Sequence, residues 1–142
     1  EKQVKNFIHS HELNSRVLFL NEHTHAAHID YKSGNDLPAI FQQAKALIYP
    51  SLFEGFGIPV LEAISSGIPV ITGEVSSLPE AGGGGALYIN PHDEHAIAHA
   101  MEQLLHDEKL CLQLAENGLI HAQKFTKEII AAQTMALYRS FL

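Results

Sequence analysis

The stretch from Ala46 to Glu62 sets the terms for any fold this chain can adopt. Ala46-Leu47-Ile48-Tyr49 is a short apolar run bounded by Lys45 and Pro50. A run of that kind reads as a strand buried in a parallel sheet. Ser51 to Gly57 carries two glycines, and Pro59 stands where its preset φ suits a first helical turn. The helix can run through Leu61, Ala63 and Ile64 to a stop at Gly67. Strand, glycine-bearing loop and helix N-terminus thus follow in immediate succession. In open α/β sheets, ligands bind at the carboxyl ends of strands in this arrangement. Gly55 and Gly57 let the backbone approach a ligand closely, and the free N–H groups and dipole of the new helix favour an anion.

Two carboxylates frame this loop, Glu54 at its start and Glu62 in what the pattern places as the first helical turn. A carboxylate is a poor partner for phosphate but a good acceptor from hydroxyls. An anion-binding helix end between two carboxylates suits a ligand that carries both phosphates and hydroxyls, as a nucleotide sugar does. The residues alone leave a second reading open, in which Glu54 is a solvated loop residue and Glu62 complements the helix dipole.

Taken in order, Glu1 to Leu13 reads as a helix with Val4, Phe7, Ile8 and Leu13 near one face. Arg16-Val17-Leu18-Phe19-Leu20 has the composition of a buried strand, and Asn21 to Asn35 is a polar loop. Asn35 or Asp36 can cap a short helix reaching Ala44. Beyond the central stretch, Pro69-Val70-Ile71-Thr72 and Ala86-Leu87-Tyr88-Ile89 are further strands. Between them lie a loop from Gly73 to Ser77, one helical turn at Leu78–Ala81, and Gly82 to Gly85 as a plain connector. Three helices close the chain. They are expected to start at Asn90-Pro91, Asp107 and Thr126. Alternation of strands and helices in a chain of 142 residues indicates one α/β domain with a parallel, doubly wound sheet.

The formal net charge of −7 makes nucleic acid an unsuitable partner. Lys and Arg are absent between Ala46 and Glu108, the stretch that holds the proposed site. The lone Cys111 offers no disulfide and fits a reducing, cytoplasmic compartment. No apolar run approaches the length of a membrane-spanning helix. His23, His25 and His28 share a loop, and His92, His95, His99 and His106 recur on one helix. Neither group has the matched ligand pattern of a zinc site, so both are read as incidental.

The string Pro50-Ser51-Leu52-Phe53-Glu54-Gly55-Phe56-Gly57-Ile58-Pro59-Val60-Leu61-Glu62-Ala63 resembles the E-x7-E signature of family-4 (group 1) retaining glycosyltransferases. Gly67-Ile68-Pro69-Val70-Ile71, Leu78-Pro79-Glu80, Phe125-Thr126 and Leu137-Tyr138 match the family's order and spacing. The resemblance covers nearly the whole chain, more weakly from Asn21 to Leu37. It implies the donor-binding, C-terminal Rossmann-like half of a GT-B fold across residues 1–142, truncated at its N-terminus. The acceptor domain and the first two strands would be missing, and with them the family's diphosphate-binding Arg and Lys.

In this likeness, Glu54 is the catalytic-site carboxylate at the donor sugar. Gly55, Phe56 and Gly57 present backbone N–H groups to sugar and diphosphate. Val60 and Leu61 help hold the phosphates through theirs. Glu62 accepts from the ribose hydroxyls, and Ser51 and Leu52 line the base of the site. The implied reaction moves a glycosyl unit from a nucleotide sugar to a saccharide or lipid-linked acceptor, with retention of configuration and without a metal or other cofactor. Such enzymes serve polysaccharide biosynthesis, at times on the cytoplasmic face of a membrane. A non-catalytic nucleotide-binding module is the alternative, and a glycosidase pair of Glu54 and Glu62 a more remote one. Truncation also predicts a gap, with Arg16–Leu20 apart from the sheet and Ala46–Tyr49 left as an edge.

Overall fold

The computed structural model describes residues 2–20, 22 and 36–141. The chain divides into two compact units, Glu1–Asp36 and Leu37–Leu142. In the first, α1 (Lys2–Ser10) buries Ile8. Leu13 closes the helix by donating from its N–H to the Ile8 carbonyl at 2.9 Å. Lys5 pairs with Glu22 and lies 5.3 Å from the centroid of the Phe19 ring.

The expected strand at Arg16–Leu20 does not form. Arg16 and Val17 both donate to the Leu13 carbonyl, which curls the segment into a turn, and Leu18 is exposed. A strand needs a neighbour's backbone to satisfy its ladder, and among the described residues the sheet ends at the strand Leu47–Tyr49 with no further strand beyond it. The polar loop and its histidines, His23, His25 and His28, fall outside the described residues.

The second unit carries a parallel sheet in the order β1 (Leu47–Tyr49), β2 (Val70–Gly73), β3 (Ala86–Ile89). Leu47 pairs with Val70 and Val70 with Ala86; one residue on, Ile48 pairs with Ile71 and Ile71 with Leu87. Alternation sends these rows to opposite faces. Leu47, Val70 and Ala86 join one core with Val60, Ala63, Ile64, Leu78 and Ala81. These come from α3 (Ile58–Ser65) and α4 (Leu78–Gly82). Ile71, Leu87 and Ile89 join a second core with Ala100, Leu104 and Leu114, from α5 (Glu94–His106) and α6 (Glu108–Ala122). The sheet is therefore covered on both sides, as the doubly wound reading requires. The remaining helices are α2 (Leu37–Gln43) and α7 (Lys127–Arg139).

Two local expectations are corrected. Helix α5 is capped by Asp93, whose carboxylate accepts from the N–H groups of His95 and Ala96; Asn90 instead accepts from His92 N–H in the turn before it. Gly82–Gly85 is no loose connector. Gly82 ends α4, Gly83–Gly85 forms a 3-10 turn, and α6 lies directly against it. A Cβ on Gly85 would sit 2.6 Å from Gly118 Cα. The expected caps at Asp107 and Thr126 form, accepting from Leu110 and Ile129 N–H.

Candidate functional site

The loop between β1 and α3 begins where Tyr49 ends the strand. The Tyr49 carbonyl accepts from the fully buried Thr72 hydroxyl at 2.8 Å, which ties the end of β1 to β2. The Tyr49 phenol donates to Glu54 Oε1 at 2.6 Å. This bond, with help from the Ser51 hydroxyl, holds the Glu54 carboxyl below the ordinary carboxylate range, against a smaller opposing effect of desolvation. The same bond, then burial and the charge of Glu54, pushes the Tyr49 phenol up. The Glu54 backbone is held too. Its carbonyl accepts from Ser76 Oγ at 2.6 Å and from Ser77 Oγ at 3.1 Å. These serines stand in the loop after β2, so the carboxyl ends of two neighbouring strands converge on one residue.

Around Glu54 the loop is open. Leu52 and Phe53 are exposed, and a Cβ on Gly55 would meet nothing within 4 Å. Ser51 is half-buried and donates to the Phe53 carbonyl at 3.2 Å. Phe56 turns inward and packs edge-on against Phe125, with centroids 5.4 Å apart. Gly57 opens α3 with φ at +102°, and a Cβ there would press to 2.9 Å from Leu78 Cδ2. Only glycine satisfies both conditions.

Val60 and Leu61 N–H both donate to the Gly57 carbonyl, at 3.0 and 3.2 Å, and the Val60 side chain is wholly in the core. Pro59 has no N–H. The N–H groups of Gly55, Phe56, Gly57 and Ile58 make no hydrogen bond to any described residue. Glu62 is the fifth residue of α3, beyond the first turn, on the exposed side opposite Ala63 and Ile64.

The described residues contain no group of three His, Cys, Asp or Glu side chains placed to hold a metal ion. His95, His99 and His106 are exposed on α5, whereas His92, expected on the same helix, is exposed in the turn before it. Among the described residues, no helix is long and apolar enough to cross a membrane.

Residues 1–120 match the family described as glycosyl transferases group 1. The chain belongs to that family. An O-antigen chain mannosyltransferase B from Escherichia coli is 38% identical over 112 residues, covering 79% of this chain and 29% of that protein. A D-inositol 3-phosphate glycosyltransferase from Corynebacterium glutamicum is 35% identical over 112 residues, 78% of this chain and 27% of that protein. A sucrose-phosphate synthase from Thermosynechococcus elongatus has a similar fold, with a TM-score of 0.78 and 29% identity across 99% of this chain and 34% of that one. This group 1 glycosyltransferase domain therefore spans about a third or less of the length of these relatives, and its sheet is that of a GT-B enzyme.

Within that domain, sequence reasoning passed over Tyr49, Thr72, Ser76 and Ser77. A signal existed for the serines, since the loop from Gly73 to Ser77 follows a strand of a parallel sheet and so leaves it at the carboxyl edge, as the loop after Tyr49 does. Tyr49 read only as the last residue of a strand.

Proposed function

We propose that this domain binds the nucleotide-sugar donor of a retaining glycosyltransferase. The observation that carries the reading is the anchored Glu54 carboxylate beside the unclaimed N–H groups of Gly55 to Ile58. In this reading Glu54 accepts hydrogen bonds from donor-sugar hydroxyls, and the N–H groups of Gly55, Phe56, Gly57 and Ile58 receive the diphosphate. Glu62, exposed farther along α3, accepts from the ribose. Ser51 and Leu52 form the base of the site. The bond between the anomeric carbon and the leaving phosphate breaks as the acceptor oxygen attacks from the same face, and the departing phosphate oxygen takes the acceptor proton. Helix-end donors serve the leaving group, so the scheme uses no metal. An acceptor saccharide, free or lipid-linked, would be held by a further domain of the size that the relatives carry.

Kinetics in a full-length enzyme carrying this domain test the two acids. Ribose contacts are equal in ground and transition states, whereas contacts at the sugar can strengthen as charge develops. Glu62→Ala should raise the donor KM about tenfold with kcat nearly unchanged, and Glu54→Ala should lower kcat by at least about tenfold. An unchanged donor KM in Glu62→Ala would remove the ribose assignment.

A further inference from the structure

We propose that Tyr49, Ser76 and Ser77 are positioning residues for Glu54, fixing its carboxylate and its backbone separately from the ends of two adjacent strands. The inference rests on the donor-site reading of Glu54 and adds how that residue is aimed.

Packing does not place Glu54. Its neighbour Phe53 is 78% exposed, and Gly55 faces open space. Besides the Ser51 hydroxyl of its own loop, its restraints are hydroxyls from the two strand ends: Tyr49 on Oε1, and Ser76 and Ser77 on the carbonyl. Each has a firm base. Tyr49 is tied through its own carbonyl to Thr72, which is fully buried. Ser77 directly precedes α4, whose Leu78 is fully buried. Ser76 adopts φ of +55°, a conformation disfavoured for serine that persists only where the surroundings enforce it. A hydroxyl donor on one carboxylate oxygen narrows the conformations open to the side chain. An ionised carboxylate only accepts. Glu54 so held selects hydroxyl-bearing sugars and disfavours a donor whose sugar presents a carboxylate at that position.

Tyr49→Phe removes one oxygen and keeps the ring. Carboxyl carbon-13 NMR of the 142-residue chain should show the Glu54 titration midpoint rise toward that of an ordinary glutamate, while Ser76→Ala with Ser77→Ala leaves the midpoint in place. In the full-length enzyme, Tyr49→Phe should lower kcat about tenfold, change the donor KM less than about twofold, and move the acid limb of the pH profile upward. Added to Glu54→Ala, it should cost no more than about twofold, since its acceptor is gone. An unmoved midpoint together with unchanged kcat overturns the proposal, as does a full additional loss in the Glu54→Ala background. Full turnover by Glu54→Gln alone would instead overturn the donor-site reading, and the NMR midpoint would still decide whether Tyr49 holds Glu54.

Discussion

Glu54 and Tyr49 bias each other's protonation through one hydrogen bond, and the two effects have opposite pH signatures. Glu54 has its folded pKa lowered, so its contribution to stability is present above the unfolded value and fades as pH falls through the folded one. Tyr49 has its folded pKa raised, so its contribution is present below the unfolded value and fades as pH rises through the folded one. The stability difference between wild type and Tyr49→Phe should therefore be constant near neutrality and shrink below about pH 4 and above about pH 10. Urea unfolding midpoints across that range measure it. The difference should be small, because the pair is open to water. Glu54 stood out in the sequence because its spacing to Glu62 frames a glycine-bearing loop. Its anchors did not, because closure of a loop and convergence of two strand ends leave no periodic trace along the chain.

Among the elements, the 3-10 turn at Gly83–Gly85 is the tightest point of contact. A methyl group on Gly85 would lie 2.6 Å from Gly118 Cα and 2.9 Å from Ile64 Cγ2, and one on Gly118 would lie 3.0 Å from Ile64 Cβ. Backbone cannot yield as a flexible side chain can. Gly85→Ala should thus destabilise the domain by about 1–3 kcal/mol, whereas Gly55→Ala, with open space around it, should stay within about 0.5 kcal/mol. Chemical denaturation compares the two. Four glycines in a row read as freedom along the sequence, because the residues that crowd Gly83, Gly84 and Gly85 are His121, Asn117 and Gly118, far along the chain. The strands at Leu47, Val70 and Ala86 were legible because they are short continuous apolar runs, as strands of a sheet covered on both sides are, most fully at β2. The run at Arg16–Leu20 has the same composition, but composition supplies no partner strand. At α5, the sequence pattern pointed to Asn90-Pro91 as the start, but the helix begins three residues later, where the Asp93 carboxylate meets the first free N–H groups.

At the scale of the whole molecule, the proposed donor site predicts that these 142 residues bind a nucleotide by themselves, and the proposed placing of the acceptor on other residues predicts that they do not transfer. The 142-residue chain is expected to take up a nucleoside diphosphate in the millimolar range, worth about −4 kcal/mol, and to show no turnover of a nucleotide sugar. Calorimetry and a donor-consumption assay test both halves, and measurable transfer by the chain alone would contradict the second. The cation-free stretch from Ala46 to Glu108 has a further effect. It carries Glu54, Glu62, Glu74 and Glu80 on the loops and helices beside the strand ends, with no Lys or Arg among them. In the proposed donor reading, a diphosphate is held there by backbone N–H groups and not by Lys or Arg of that stretch. Mobile ions shorten electrostatic reach to about 8 Å at physiological strength and leave close hydrogen bonds largely intact. Raising salt should therefore weaken nucleoside diphosphate binding by this chain far less than it weakens binding at lysine- and arginine-built sites, and calorimetry across a salt series measures it.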